Sequence, residues 1–257
     1  MDTALVRPVA DSFARALVAE PGTSLDPSRA RSQHSAYVAL LRSAGYAIEE
    51  VPGDEGHPDC VFIEDAAVVV GSVTVVARSA AKSRRGETGP VRDALASRFS
   101  LASIEAPGTL DGGDVMQIGG SIYVGHSRRT NLAGIGQLAE IGREAGVDVT
   151  TVKVEDGLHL KSSVLPLDAE TVLVTPNCVD ETALRDLRVL SESPTERLRA
   201  SVLPMRDGRL LITDNSPNTT EMLAGSGYEV TPVDVTELQA ADGGLTCMSI
   251  LFAEPER

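Results

Sequence analysis

Residues 114–142 read DVMQIGGSIYVGHSRRTNLAGIGQLAEIG. Two short apolar, β-branched runs flank Gly119-Gly120, and a polar stretch follows. Apolar residues then fall at Leu132, Ile135, Leu138, Ala139 and Ile141. Short apolar runs around turn residues predict a β-hairpin. The later spacing places one apolar stripe along a helix.

The same order recurs along the chain. It appears over 68–95 around Gly71-Ser72, over 162–187 around Asp168-Ala169, and over 203–227 around Asp207-Gly208. In the last of these, Thr219, Glu221, Met222 and Leu223 mark a helix entry. ALVRPVADSFARAL (4–17) reads as the second half of such a unit, strand then helix. An ordinary α/β protein also alternates strands and helices; recurrence of the whole order favours a repeat of about five modules. Such modules cannot bury their apolar faces alone, so they are expected to pack side by side around one axis with their polar loops at the centre. No Pro- or Ser-rich linker divides the chain, which predicts a single domain over 1–257. VAEPGTSLDPSRARSQ (18–33) is the expected mobile segment, a candidate lid.

Of 257 residues, 42% are hydrophobic, enough to build a core and to exclude an intrinsically disordered chain. The formal charge of −14 argues against nucleic acid and anionic membrane as partners, since both require a basic footprint. It suits a cationic substrate. Cys60, Cys178 and Cys247 are widely spaced and form neither a disulfide framework nor a zinc pattern, which points to a reducing compartment. MDTALVRPVADSFARAL lacks the apolar core of a signal peptide, and no apolar run reaches membrane-spanning length. A cytoplasmic location is expected.

Candidate chemistry is spread over the modules. Cys247 lies in GGLTCMSILF (243–252), either as a packed thiol or as a nucleophile at a loop-to-strand junction, with two glycines leaving room for a flat cation. A cysteine nucleophile needs a base. His34 sits in a helical pattern as a surface or packing residue, and His57 in a polar loop. His126 follows a strand and is open to a site role. His159, between two leucines in EDGLHLKSSVL, is either structural or catalytic. GTLDGGDVM sets Asp111 and Asp114 around two glycines, as a turn or as a place of close approach. Glu64 and Asp65 interrupt the apolar run DCVFIEDAAVVV; strand alternation turns at least one of them inward. The inward carboxylate then needs a cationic ligand or a buried arginine. KSRRGE (82–87) and HSRRTN (126–131) occupy equivalent polar loops, so their arginines are expected to converge on a carboxylate. Acids for a cation and arginines for a carboxylate describe an α-amino acid with a positive side chain.

Taken in order, PDCVFIEDAAVV, SRRGE, LDGGDV, VGHSRRTN, DGLHLKS and DGGLTCMSIL resemble the dimethylarginine dimethylaminohydrolases. That family lies in the guanidine-modifying, pentein-type superfamily with arginine deiminases and amidinotransferases. The resemblance runs over nearly the whole chain. It implies a pseudo-fivefold α/β propeller of repeated ββαβ-type modules around a central active-site cavity. It also implies hydrolysis of Nω-methylated arginines to citrulline and methylamines through a covalent Cys-thiouronium intermediate. Cys247 matches the family nucleophile, His159 the acid and base, and Asp111 the residue that orients the histidine. Glu64 and Asp65 match the guanidinium-binding acids, Asp59 a contact to the substrate's α-amino group or to a neighbour, and Arg84 and Arg129 the arginines that hold the α-carboxylate. Val18 and Ala241 match positions that contribute mainly backbone contacts.

Two departures stand out: Met248 follows the nucleophile where some relatives carry a second cysteine, and Ala241 replaces a branched residue. The resemblance implies no cofactor and no metal, a small cationic amino acid as partner, and a monomer or homodimer. The alternatives are an arginine deiminase or other guanidine hydrolase, or a non-catalytic pentein-fold binding protein. An arginine deiminase usually carries a helical insertion that is not visible here. A binding-only member has no reason to keep Cys247, His159, Asp111 and both arginines together.

Overall fold

The structure, a computed structural model, describes residues 2–193, 196 and 200–254. In chain order the elements begin with β1 (Asp2–Val6), α1 (Pro27–Ser43) and β2 (Ala47–Glu50). Next come β3 (Ala67–Val70), β4 (Val73–Val76), α2 (Thr88–Leu95) and β5 (Ser100–Ser103). A third group is β6 (Val115–Ile118), β7 (Ser121–His126), α3 (Leu132–Glu144) and β8 (Val149–Lys153). Then follow β9 (Val164–Pro166), β10 (Thr171–Val174) and β11 (Arg188–Ser191). The chain ends with β12 (Val202–Pro204), β13 (Leu210–Thr213), α4 (Pro217–Gly225), β14 (Val230–Val233), α5 (Thr236–Ala240) and β15 (Ser249–Ala253).

These strands form three-stranded sheets with one plan, an antiparallel pair extended by a parallel strand. Four of the antiparallel pairs are the hairpins expected from the sequence. In the remaining sheet, β15-β1-β2, the first strand of the chain pairs antiparallel with the last. A parallel third strand requires a crossover, which is why a helix stands between the second and third strands of most modules. The described residues divide into two compact units, 2–63 with 200–254, and 64–193 with 196.

Two of the expected helices are single 3₁₀ turns. In 162–187 the helix reduces to Glu181–Leu184, because β11 opens at Arg188 and leaves too few residues to propagate an α-helical ladder. In 4–17 it reduces to Asp11–Arg15, and the crossover of that module is α1 instead. Helix α1 starts inside the segment expected to be mobile. Asp26 caps it by accepting from the Ser28 and Arg29 amides, and Pro27 has its φ already set for the first turn. Residues 27–33 are therefore helix, and the expected loop is limited to 18–26.

In the first unit, Phe13, Tyr37, Leu41, Phe62, Leu211, Val235, Leu245 and Met248 belong to one apolar cluster. In the second unit, Leu110, Ile122 and Leu138 belong to one apolar cluster and Met116, Val152, Leu160 and Val164 to another. No helix among the described residues is long and apolar enough to cross a membrane.

His34 is a packing residue of α1, buried beside Tyr37 with ring centroids 6.3 Å apart. Its Nε2 has no hydrogen-bond partner among the described residues, and burial lowers its pKa from 6.5 to about 4. Between those values the unfolded chain binds the proton and the folded one does not, so stability falls as pH drops from 6.5 toward 4. At the acid end this amounts to about 3 kcal/mol. Replacing His34 with Leu is expected to flatten the dependence of the urea-unfolding midpoint on pH across this window. Parallel curves for the two proteins would contradict the assignment.

Candidate active site

The acidic loop of the second unit is built by its glycines. Asp111 leads into a 3₁₀ turn, Gly112–Asp114. A Cβ on Gly112 would collide with the Glu64 carbonyl. A Cβ on Gly113 would lie 2.7 Å from Nδ1 of His159 and 2.9 Å from Oδ1 of Asp65. Neither glycine has a positive φ, so the pair serves close approach rather than turn conformation. Glu64 and Asp65 themselves lie in the 3₁₀ turn Ile63–Ala66, and β3 begins only at Ala67. Strand alternation therefore does not decide which carboxylate turns inward. Asp65 is buried because the turn aims it at Gly113, whose amide it accepts at 2.9 Å.

Buried charges here come in partnered sets. Oδ2 of Asp65 accepts from Nη1 of Arg84 at 2.5 Å, and Glu87 accepts from Nε and Nη2 of the same guanidinium at 3.0 and 2.8 Å. The sequence left open whether a ligand or a protein arginine answers the inward carboxylate; in this structure Arg84 answers Asp65. Arg129 donates from Nη1 to Oδ2 of Asp111 at 3.1 Å, and Nε2 of His159 lies 3.1 Å from the same oxygen. Oδ1 of Asp111 is buried without a hydrogen-bond partner among the described residues. Lys161 meets Glu64 at 2.5 Å. Asp114 accepts from the Leu160 amide at 2.8 Å and from the Ser127 hydroxyl at 2.7 Å, which fixes the backbone directly after His159.

These surroundings set the protonation of His159. Burial alone would lower its pKa, but Asp65, Asp111 and Asp114 outweigh it and push the value up to about 9. The ring is an imidazolium at neutral pH, donating from Nε2 to Asp111 and ready to pass on a proton. In return His159 and Arg84 hold Asp65 well below the usual carboxylate range despite its burial, while burial raises Asp114. Asp65, Asp111 and His159 present donor atoms within 4.8 Å of one another, a grouping able to hold a cation. The carboxylate oxygens there already take Arg84 and Arg129.

The other sequence-derived candidates lie in the first unit. Cys247 is half-buried on a single 3₁₀ turn, Thr246–Met248, directly before β15, and its amide donates to the Gly244 carbonyl at 3.2 Å. Gly243 does not open room for a flat cation; a Cβ there would run into the ring of Phe62. Asp59 is buried and accepts from the Leu17 amide at 3.0 Å, and Asp242 accepts from the Ala19 amide at 2.6 Å. The two acids brace the backbone on either side of Val18, which packs against the apolar cluster. Ala241 is buried at the end of α5.

Lys161 and Glu87 belong to this charged cluster, and the sequence alone does not single them out. Glu87 was legible in principle, because an acid three residues after Arg84 lies on the same face of a helical turn.

A family profile described as eukaryotic N,N dimethylarginine dimethylhydrolase matches residues 9–191. N(G),N(G)-dimethylarginine dimethylaminohydrolase of Streptomyces coelicolor is 39% identical over 98% of this chain and 97% of its own length. The chain belongs to the dimethylarginine dimethylaminohydrolase family. The member from Pseudomonas aeruginosa, solved as a cysteine-to-serine variant complexed with citrulline, superposes with a TM-score of 0.92 at 31% identity, covering 97% of this chain and 98% of that one. A histidine-to-glycine variant of a dimethylarginine dimethylaminohydrolase, solved as an adduct with S-methyl-L-thiocitrulline, gives 0.93 at 31% identity, covering 98% and 100%. The fold class expected from the sequence, the pentein-type α/β propeller, is that of this family member.

Asp65→Asn removes one source of the raised pKa of His159. The ring C2 proton, followed by NMR, is expected to titrate below about 9 and closer to 6.5 in this variant. An unchanged midpoint would show that the Asp65 charge does not act on the ring.

Proposed function

We propose that the chain hydrolyses Nω-methylated arginines, asymmetric dimethylarginine and monomethylarginine, to citrulline and methylamines. The observation that carries this reading is the charge around His159. Five acids, Glu64, Asp65, Glu87, Asp111 and Asp114, gather here against three basic side chains, Arg84, Arg129 and Lys161, beside His159. A guanidinium adds positive charge in a setting where an unpaired carboxylate is costly. Relatives at 39% and 31% identity are named dimethylarginine dimethylaminohydrolases, which favours methylated substrates over the arginine-deiminase alternative.

In the proposed reaction the Cys247 thiolate adds to the central guanidinium carbon and forms a C–S bond. His159 gives its proton to the departing methylamine as the C–N bond breaks, which makes a poor leaving group a neutral amine. His159, now neutral, takes a proton from water; the hydroxide adds to the same carbon, the C–S bond breaks as the added hydroxyl gives up its proton to solvent, and neutral citrulline leaves with the thiolate and the imidazolium restored. Asp111 orients the ring and balances its charge. Glu64 and Asp65 hold the guanidinium, Asp59 the α-amino group, and Val18 and Ala241 offer backbone contacts. Arg129 and Arg84 hold the α-carboxylate. Arg129 is the readier of the two, since Arg84 already answers Asp65 and Glu87. The chain works as one catalytic domain over 1–257, as a cytoplasmic monomer or homodimer, with no cofactor or metal in its chemistry.

The test is to incubate the protein separately with asymmetric dimethylarginine, monomethylarginine and arginine, and to measure citrulline. Citrulline from the methylated substrates, at least 10³-fold reduced in Cys247→Ser, is expected on the order of magnitude for loss of a nucleophile. No citrulline from any of the three, or full activity in the variant, would overturn the reading.

A further inference from the structure

Lys161 has no role in the reaction as set out above, yet it holds one of the two acids proposed to bind the guanidinium. Its ammonium lies 2.5 Å from Oε1 of Glu64, and the two side chains are only 12% and 13% exposed. A pair so shielded is not a loose surface contact that water screens away. The lysine is also placed with care. It sits in the 3₁₀ turn Leu160–Ser162, between fully buried Leu160, whose amide is held by Asp114, and Ser162, whose hydroxyl accepts from the His159 amide at 3.3 Å. The turn that presents His159 therefore presents Lys161 as well.

We propose that Lys161 is a specificity-determining positioning residue, which sets the preference for methylated over unmethylated guanidinium by occupying Oε1 of Glu64. The inference rests on the function proposed above and deepens it. Arginine, monomethylarginine and asymmetric dimethylarginine all carry the same single positive charge, so repulsion from the ammonium weakens all of them alike and discriminates none. They differ in hydrogen-bond donors, because each methyl group replaces one N–H of the guanidinium fork. An N–H buried without an acceptor costs far more than one left in water. With Oε1 of Glu64 already taken by Lys161, the pocket has one acceptor fewer to offer. That matches a substrate with fewer donors and penalises arginine, whose additional N–H groups then lack a partner. Lys161 in effect supplies the donor that methylation has removed.

The variants K161M and K161R separate this role from simple support of the fold, with circular dichroism confirming that each is folded and K161Q taking the place of the methionine variant if that one is not. Citrulline formation from the three substrates is measured for each. In a Cys247→Ser background, dissociation constants for the same three amino acids are measured by calorimetry. K161M is expected to shift selectivity toward arginine by about tenfold or more relative to asymmetric dimethylarginine, in both kcat/KM and binding, the size expected for satisfying one buried donor. K161R, which keeps the charge and the donors, is expected to retain the wild-type order. A common factor for all three substrates in K161M would overturn the inference while leaving the proposed reaction standing. The expected binding order with no citrulline from any form would overturn the reaction and leave the role of Lys161 standing. Failure of the Cys247→Ser protein to bind any of the three would overturn both.

Discussion

The arrangement around His159 depends on one steric fact, that Gly112 and Gly113 carry no side chains. The backbone of the acidic loop thereby comes into contact with the Glu64 carbonyl on one side and with the imidazole and the Asp65 carboxylate on the other. From that contact follow the amide bond to Asp65, the nearness of Asp65 to the ring, and the field that keeps the ring protonated. Any Cβ at either position would drive these segments apart and weaken each of the later effects together.

A second constraint is electrostatic. Burying carboxylates such as Asp65, Glu87, Asp111 and Asp114 is unfavourable unless each is answered, and removing one partner of such a pair costs more than the pair contributes. The second unit answers them in different ways: two arginines and a lysine, backbone amides for Asp65 and Asp114, and a hydroxyl for Asp114. Acids still outnumber the arginines and lysine in this set, and Oδ1 of Asp111 is buried without a hydrogen-bond partner among the described residues. Retention of a proton on His159 is one response to these acids, and the proposed binding of a guanidinium is the other.

The modules were legible in the sequence because their hairpins combine β-branched runs with turn residues at fixed places, as in Val115–Ile118 and Ser121–His126 around Gly119-Gly120. Crossover length was not legible. ETAL and DSFAR carry helix-compatible residues, and only the position of the next element shows that a single turn is all that fits. Third strands such as Ser100–Ser103 are largely exposed and have no alternation to betray them. Glu64 and Asp65 stand out as acids in an apolar run, although the run has the pattern of a strand where the chain turns. Lys161 stayed hidden because a lysine after Leu160 looks like an ordinary solvated residue; its partner lies 97 positions away in the chain.

The central claim is that an excess of buried acid holds a guanidinium while Cys247 attacks it. It is tested most directly by acid-quenching the protein during turnover of asymmetric dimethylarginine and mapping its peptides by mass spectrometry. The account predicts an adduct on Cys247 with the mass of the substrate less dimethylamine, disappearing as substrate is consumed. Steady citrulline release with Cys247 unmodified throughout, or an adduct on another residue, would contradict it.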